Sequence, residues 1–178
     1  ALAKIRKQVG EEVWWASYQQ QPQAPGIATF TEERIQQARD PLRIVRDLLA
    51  NGTYTDRIGR RLLAVAAELL RLCGWVAYDS NDVGRAQRYW VAGAKQAKVA
   101  GDTAMGAHII ASLANLSRKA SDFGSAVAQA EDAKMHYSGE SPKVKARLHL
   151  QAAMCYASVG DRLRCQRDLG AAEDLVPR

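Results

Sequence analysis

Large aromatic side chains are scarce in this sequence: its 178 residues include four Trp, six Tyr and two Phe. A chain so poor in rings cannot fill a thick core, and its 31 alanines point instead to helices packed at close range. Long apolar runs are missing too. No stretch approaches the ~20 residues that a membrane-spanning helix needs, so a membrane is excluded as a partner. Cysteine is limited to Cys73, Cys155 and Cys165, an odd number without C-x-x-C spacing. That excludes a disulfide scaffold and predicts buried free thiols in apolar helical surroundings of a reducing compartment, the cytoplasm. Charge of one sign is nowhere concentrated. The net charge of +6 and pI near 9.4 divide into +2 over 1–60, +3 over 61–100, −2 over 101–140 and +3 over 141–178. No Lys/Arg run resembles a basic arm. Period-two alternation is absent, which leaves no place for a sheet.

Motifs of catalysis are also lacking: there is no P-loop, H-E-x-x-H, G-x-S-x-G elbow or EF-hand loop. His108, His136 and His149 lack ligand spacing to one another or to a cysteine. Cys155 and Cys165 could meet across a hairpin turn, yet neither has an identifiable base beside it. No catalytic residue, metal ligand or cofactor is assigned, and the chain is read as a non-enzyme.

What is present is helical punctuation. Residues 2–19 carry Ile5, Val9, Val13 and Ala16 near helical spacing, with Trp14-Trp15 inside. The Trp pair suits either a dimer contact or a core role against the first repeat. A Pro/Gly linker follows near 20–28, and Thr29 with Glu32 matches a capping box. Asp40-Pro41 predicts a restart or kink, and Asn51-Gly52 a stop. We therefore assign 1–55 to divergent N-terminal helices. From there to residue 174 the spacing predicts three helix pairs: about 56–79 with 82–99, 101–119 with 122–138, and 141–159 with 161–174. The chain begins at Ala1 rather than Met, which we read as processing or excision from a longer protein. Residues 175–178 (Leu-Val-Pro-Arg) match a thrombin-site tag remnant.

The pairs are related. Asn81-Asp82-Val83-Gly84-Arg85-Ala86 aligns with Ser121-Asp122-Phe123-Gly124-Ser125-Ala126 and, more loosely, with Gly160-Asp161-Arg162-Leu163-Arg164-Cys165. Ala86, Ala126 and Cys165 are spaced by 40 and 39 residues, and twelve residues upstream of each stands Gly74, Ala114 or Ala153. Each Asp is placed to cap a helix, and the small residues let two helices approach closely. This spacing resembles the tetratricopeptide repeat (TPR), whose hairpins carry small residues at corresponding positions. Trp90-x-x-Gly93 and Leu169-x-x-Ala172 fit the family's large-then-small pattern, whereas Ala130 departs at the large site. The resemblance implies an all-α fold of stacked helical hairpins, an α-solenoid.

A narrower resemblance rests on Gly74-Trp75-x-x-Tyr78-Asp79, Ala86-Gln87-Arg88-Tyr89 and Ala100-Gly101-Asp102. These look like the C-terminal TPR half of actinobacterial helix-turn-helix transcriptional regulators. It implies a regulatory protein- or peptide-binding domain that reaches DNA through a separate helix-turn-helix domain; a homodimer is a separate expectation. A free-standing TPR adaptor is the alternative.

In such an array the first helices line a concave groove. Projection from the small positions puts Glu68, Arg71, Trp75 and Tyr78 there from the first pair. The second pair adds His108, Asn115, Arg118 and Lys119, and the third adds Arg147, Leu150 and Met154. Cations with aromatic and aliphatic area suit a peptide with an acidic group and an apolar anchor. Trp75 and Tyr78 could instead pack against the N-terminal helices. Compared with the carboxylate clamp of some TPR domains, Asn115 matches and Arg147 lies near a clamp cation, but Ala111 stands at the lysine position. A basic domain contacting DNA directly is the rival reading, through Arg43, Arg46, Arg57, Arg60 and Arg61. Their alternation with Asp47 and Asp56 predicts solvated salt bridges instead.

Overall fold

The computed structural model describes residues 32–175. The expectations for the helix over 2–19, the linker near 20–28, the Thr29 cap and the Trp14-Trp15 contact lie outside the described residues, as do positions 176–178. Among the described residues there are seven helices and no strand, so the chain is all-α. They are α1 (Glu32–Asn51), α2 (Asp56–Asp79), α3 (Val83–Ala100), α4 (Thr103–Lys119), α5 (Phe123–His136), α6 (Pro142–Ser158) and α7 (Arg162–Asp174).

The pairs α2/α3, α4/α5 and α6/α7 are the predicted hairpins, closed by one repeated turn. A residue with left-handed backbone precedes each second helix: Asn81 (φ 60°), Ser121 (φ 62°) and Gly160 (φ 75°). The next residue is Asp in every case. Its backbone N–H donates back to the carbonyl five residues earlier, at 2.8 Å for Asp82 to Ala77, 2.9 Å for Asp122 to Ser117 and 3.0 Å for Asp161 to Tyr156. Its carboxylate then accepts the N–H three residues on, at 2.9 Å from Arg85, 3.1 Å from Ser125 and 3.0 Å from Arg164. Gly101-Asp102 repeats the device between α3 and α4, with Asp102 accepting from Met105 N–H at 2.9 Å. The predicted aspartate caps are thus in place.

Hairpins stack through first helix against first helix, α2 on α4 and α4 on α6, and through α3 on α4 and α5 on α6. In the first hairpin, Trp90 is fully buried beside Ala77, Ala86, Ile109 and Leu116. Its Nε1 donates to the Arg71 carbonyl at 3.1 Å. A Cβ at Gly74 would lie 2.7 Å from Trp90 Cε2 and closer still to Nε1 and Cδ1, so the small residue there is what admits the ring. In the second hairpin, where Ala130 replaces the large residue, Tyr156 enters from α6. It packs with Ala114, Ala126, Ala130, Ala152 and Cys155. Leu169, the third large position, is 40% exposed, because no further hairpin among the described residues covers α7.

Of the restart or kink expected at Asp40-Pro41 the restart is absent, since α1 runs through Pro41. Proline forfeits one backbone hydrogen bond, but buried Leu42 and Val45 just beyond it anchor the chain. And α5 ends at His136, before Ser138-Gly139, with Tyr137 extended and its hydroxyl accepting from the Ser141 N–H at 3.0 Å. All three cysteines are free; Cys73 and Cys155 are buried, and Cys165 is half-buried against the second cluster.

Candidate functional site on the first helices

The groove candidates lie on α2, α4 and α6, and the structure joins most of them into two polar centres. The first links all three hairpins. On α2, Arg71 holds Glu68 in a two-point ion pair, Nε to Oε2 at 2.8 Å and Nη2 to Oε1 at 2.7 Å. The pairing pulls the Glu68 carboxyl down and the Arg71 guanidinium up. Across the seam, Arg147 of α6 reaches His108 of α4, with Nη1 3.3 Å from Nδ1. An arginine only donates, so Nδ1 carries the lone pair and the neutral ring carries its proton on Nε2. Burial, then the charges of Arg147 and Arg71, push His108 down to about 4 against a small opposing pull from Glu68. Loss of hydration and the nearby Arg71 likewise lower Arg147. Within this centre the Glu68 carboxylate is taken by Arg71, and Arg147 bonds His108 instead.

The second centre sits at the C-terminal ends of α2 and α4. Asn115 donates to the Tyr78 hydroxyl at 3.3 Å and accepts from Arg118 Nη2 at 2.8 Å. Lys119 donates to Asn81 at 3.3 Å and stands 4.4 Å over the Tyr78 ring, a contact worth about 0.5–1 kcal/mol. Trp75 meets Tyr78 edge-on at 5.5 Å and Trp90 at 5.2 Å. Trp75 and Tyr78 are therefore half-buried in the first hairpin's own cluster. Leu150 and Met154 are exposed on α6, at 47% and 39%, and neither centre includes them.

Ala111, the clamp-lysine position, does not face the groove. It is buried with Ala107, Ala133 and Leu148, so a longer side chain there would enter the interior between hairpins. The expected salt bridges around Arg43, Arg46, Arg57, Arg60 and Arg61 are corrected too. All five are exposed, and among the described residues none of them forms an ion pair with Asp47, Asp56 or any other carboxylate.

Elsewhere, His136 Nδ1 lies 3.0 Å from Asp132, and His149 Nδ1 lies 2.7 Å from Asp168. Among the described residues no group of three or more His, Cys, Asp or Glu could hold a metal ion, and no helix is long and apolar enough to cross a membrane. Burial raises the Cys155 thiol, which keeps it protonated and unreactive.

Sequence reasoning missed two features. A cavity of about 390 Å³ opens between the N-terminal halves of α4 and α6, with Lys143 and Arg147 on one wall. The signal was available: two cations at i and i+4 in the opening turns of a helix. The other is Asp168, 1% exposed, which accepts from Lys134 at 2.9 Å, His149 at 2.7 Å and Arg167 at 3.1 Å. A lone Asp on the Cys165/Ala172 stripe of α7 was its sign. Compared with models of known protein families the chain matches none, and comparison with curated proteins likewise finds no similar sequence.

Proposed function

We propose that this chain is a TPR-type peptide- or protein-binding domain, the regulatory part of a cytoplasmic bacterial transcription regulator, with the first-helix face as its binding surface. The observation that carries this reading is the charge imbalance of that face. Arg71, Arg118, Lys119 and Arg147 outnumber the carboxylates of Glu68, paired with Arg71, and Asp79, which lies near Lys119, with Leu150 and Met154 exposed on α6. An acidic peptide with an apolar anchor complements it. Such a ligand would bridge hairpins, and a change in their stacking is how occupancy would reach a dimer contact or a DNA-binding domain. Free thiols fit a reducing compartment.

Anisotropy titration with fluorescent peptides, varied in acidic residues and apolar anchor, tests the surface. Peptides carrying both should bind, and Lys119→Glu should weaken them tenfold or more; Arg118→Glu should do the same if its helicity is intact. Affinity that ignores the acidic residues would overturn the groove reading. A helix-turn-helix segment in the full-length gene product separates the regulator from a free-standing adaptor.

A second reading is direct DNA contact, favoured by the five exposed arginines of α1 and α2 that make no ion pair among the described residues. An electrophoretic shift over a salt series decides it. A steep loss of binding with salt supports phosphate contact, and no shift at low salt ends it.

A further inference from the structure

The cavity between α4 and α6 has an apolar wall made by Met105, Val144 and Leu148. Its charged side comes from α6, where Lys143 and Arg147 are one turn apart. Two features make that pair unfavourable as it stands. Like charges at i and i+4 repel. Both also lie in the first half of α6, Lys143 in its first turn, where the helix dipole presents its positive end. Neither is neutralised: among the described residues Lys143 makes no ion pair, and the hydrogen bond of Arg147 goes to neutral His108 rather than to a carboxylate. The acid at the rim, Asp102, caps the Met105 N–H through one oxygen and keeps its charge, so the cations available to an anion are those on the α6 side of the cavity. The Arg147–His108 bond also fixes the guanidinium at the cavity, which removes part of the ordering cost of binding an anion.

We propose that this cavity is a binding site for a small organic acid. Its carboxylate lies between Arg147 and Lys143, and its apolar body packs on Met105, Val144 and Leu148. At about 390 Å³ the space is near the lower end for ligand pockets and suits a body of roughly ten heavy atoms. Such a ligand touches α4 and α6 together, so it would tie the second hairpin to the third. The site shares Arg147 and His108 with the groove but does not require a peptide there.

Calorimetric titration with 4-phenylbutyrate and its amide, 4-phenylbutyramide, tests the site. The acid should bind saturably with a Kd of about 1 mM or tighter, and the amide at least tenfold more weakly. Lys143→Gln, at an exposed position that makes no ion pair among the described residues, should weaken the acid about tenfold while keeping helicity and urea midpoint. Arg147→Gln should weaken it at least as much, with helicity kept and the urea midpoint moved only by loss of the His108 bond. Ala104→Trp, at an exposed position lining the cavity, should block it. Equal binding of acid and amide, or equal binding by the parent chain and Arg147→Gln, overturns the proposal. So does the absence of saturable binding across a series of carboxylates from benzoate to octanoate. If an acidic peptide occupies the cavity and 4-phenylbutyrate fails to displace it, the site is a peptide subsite and the small-acid proposal falls. The peptide and small-acid titrations read different ligands, so the failure of one is distinguishable from the failure of the other.

Discussion

Trp90 brings its Nε1 edge against α2 because position 74 carries no Cβ: the atom that alanine would add falls inside the ring's contact distance. The ring has nowhere to retreat, since it is fully buried and tied to the Arg71 carbonyl. Gly74→Ala should therefore cost about 3 kcal/mol through overpacking and loss of that bond. Urea unfolding measures it, and pairing the substitution with Trp90→Leu should recover part of the loss because the two residues share one contact. A cost below about 1 kcal/mol would show that the ring can shift. Ser121 presents the opposite case. It holds a left-handed φ of 62° at a turn where Gly160 does the same work in the third hairpin. Ser121→Gly relieves that strain and should raise stability by about 0.5–1 kcal/mol, less whatever the freer unfolded chain takes back. Spacing alone picked out Gly74, because a small residue in register with Ala114 and Ala153 has no other purpose in a helix. It did not pick out Ser121, since backbone handedness leaves no mark on a residue type that tolerates many turns.

Helices α5, α6 and α7 are held together by charge as well as by alanine. Asp168 of α7 is buried among Lys134 of α5, His149 of α6 and its neighbour Arg167, while Tyr156 donates to Glu131, which pairs with Lys134 at 2.9 Å. Burial pushes the Asp168 carboxyl up, but the three donors outweigh it and hold the carboxyl below its ordinary value. Asp168→Ala leaves the largely buried Lys134 ammonium with Glu131 alone, and should cost about 3 kcal/mol or more. Lys134→Met combined with Asp168→Leu removes both charges and should be far milder, which thermal melting of the single and double variants would reveal. Equal losses would mean the cluster packs by shape and not by charge. Helix limits were legible here to within two residues, since Asp122, Pro142 and Asp161 mark helix starts chemically. The cluster was not, because pairing of Lys134 with Asp168 across 34 positions depends on how hairpins stack, and helical periodicity carries no such information.

Across the whole molecule the three hairpins meet electrostatically at His108, which faces Glu68 and Arg71 from α2 and Arg147 from α6. Its folded pKa is near 4, below the 6.5 of a free imidazole, so between those values the unfolded chain binds more protons than the folded one. Stability then rises with pH in that window: it is full above about 6.5 and is lost progressively as pH falls toward 4. The ring is only partly buried, so the loss amounts to roughly 1–2 kcal/mol after solvent screening. Below that window a different set of groups takes over. Glu68, Glu131 and Asp168 have folded pKa values below their free ones, so their contribution is present above the ordinary carboxylate range and is lost as pH falls through the depressed values. Urea midpoints from pH 7.5 to 4.5 should decline in the parent chain and stay nearly flat in His108→Gln, which keeps a side chain that can accept from Arg147. A parallel decline in both would place the acid sensitivity elsewhere and remove His108 as the point where the hairpins' charges are coupled. The same substitution at pH 7 should change stability by no more than about 1 kcal/mol, because the ring is neutral there and the Gln carbonyl can still accept the one hydrogen bond from Arg147.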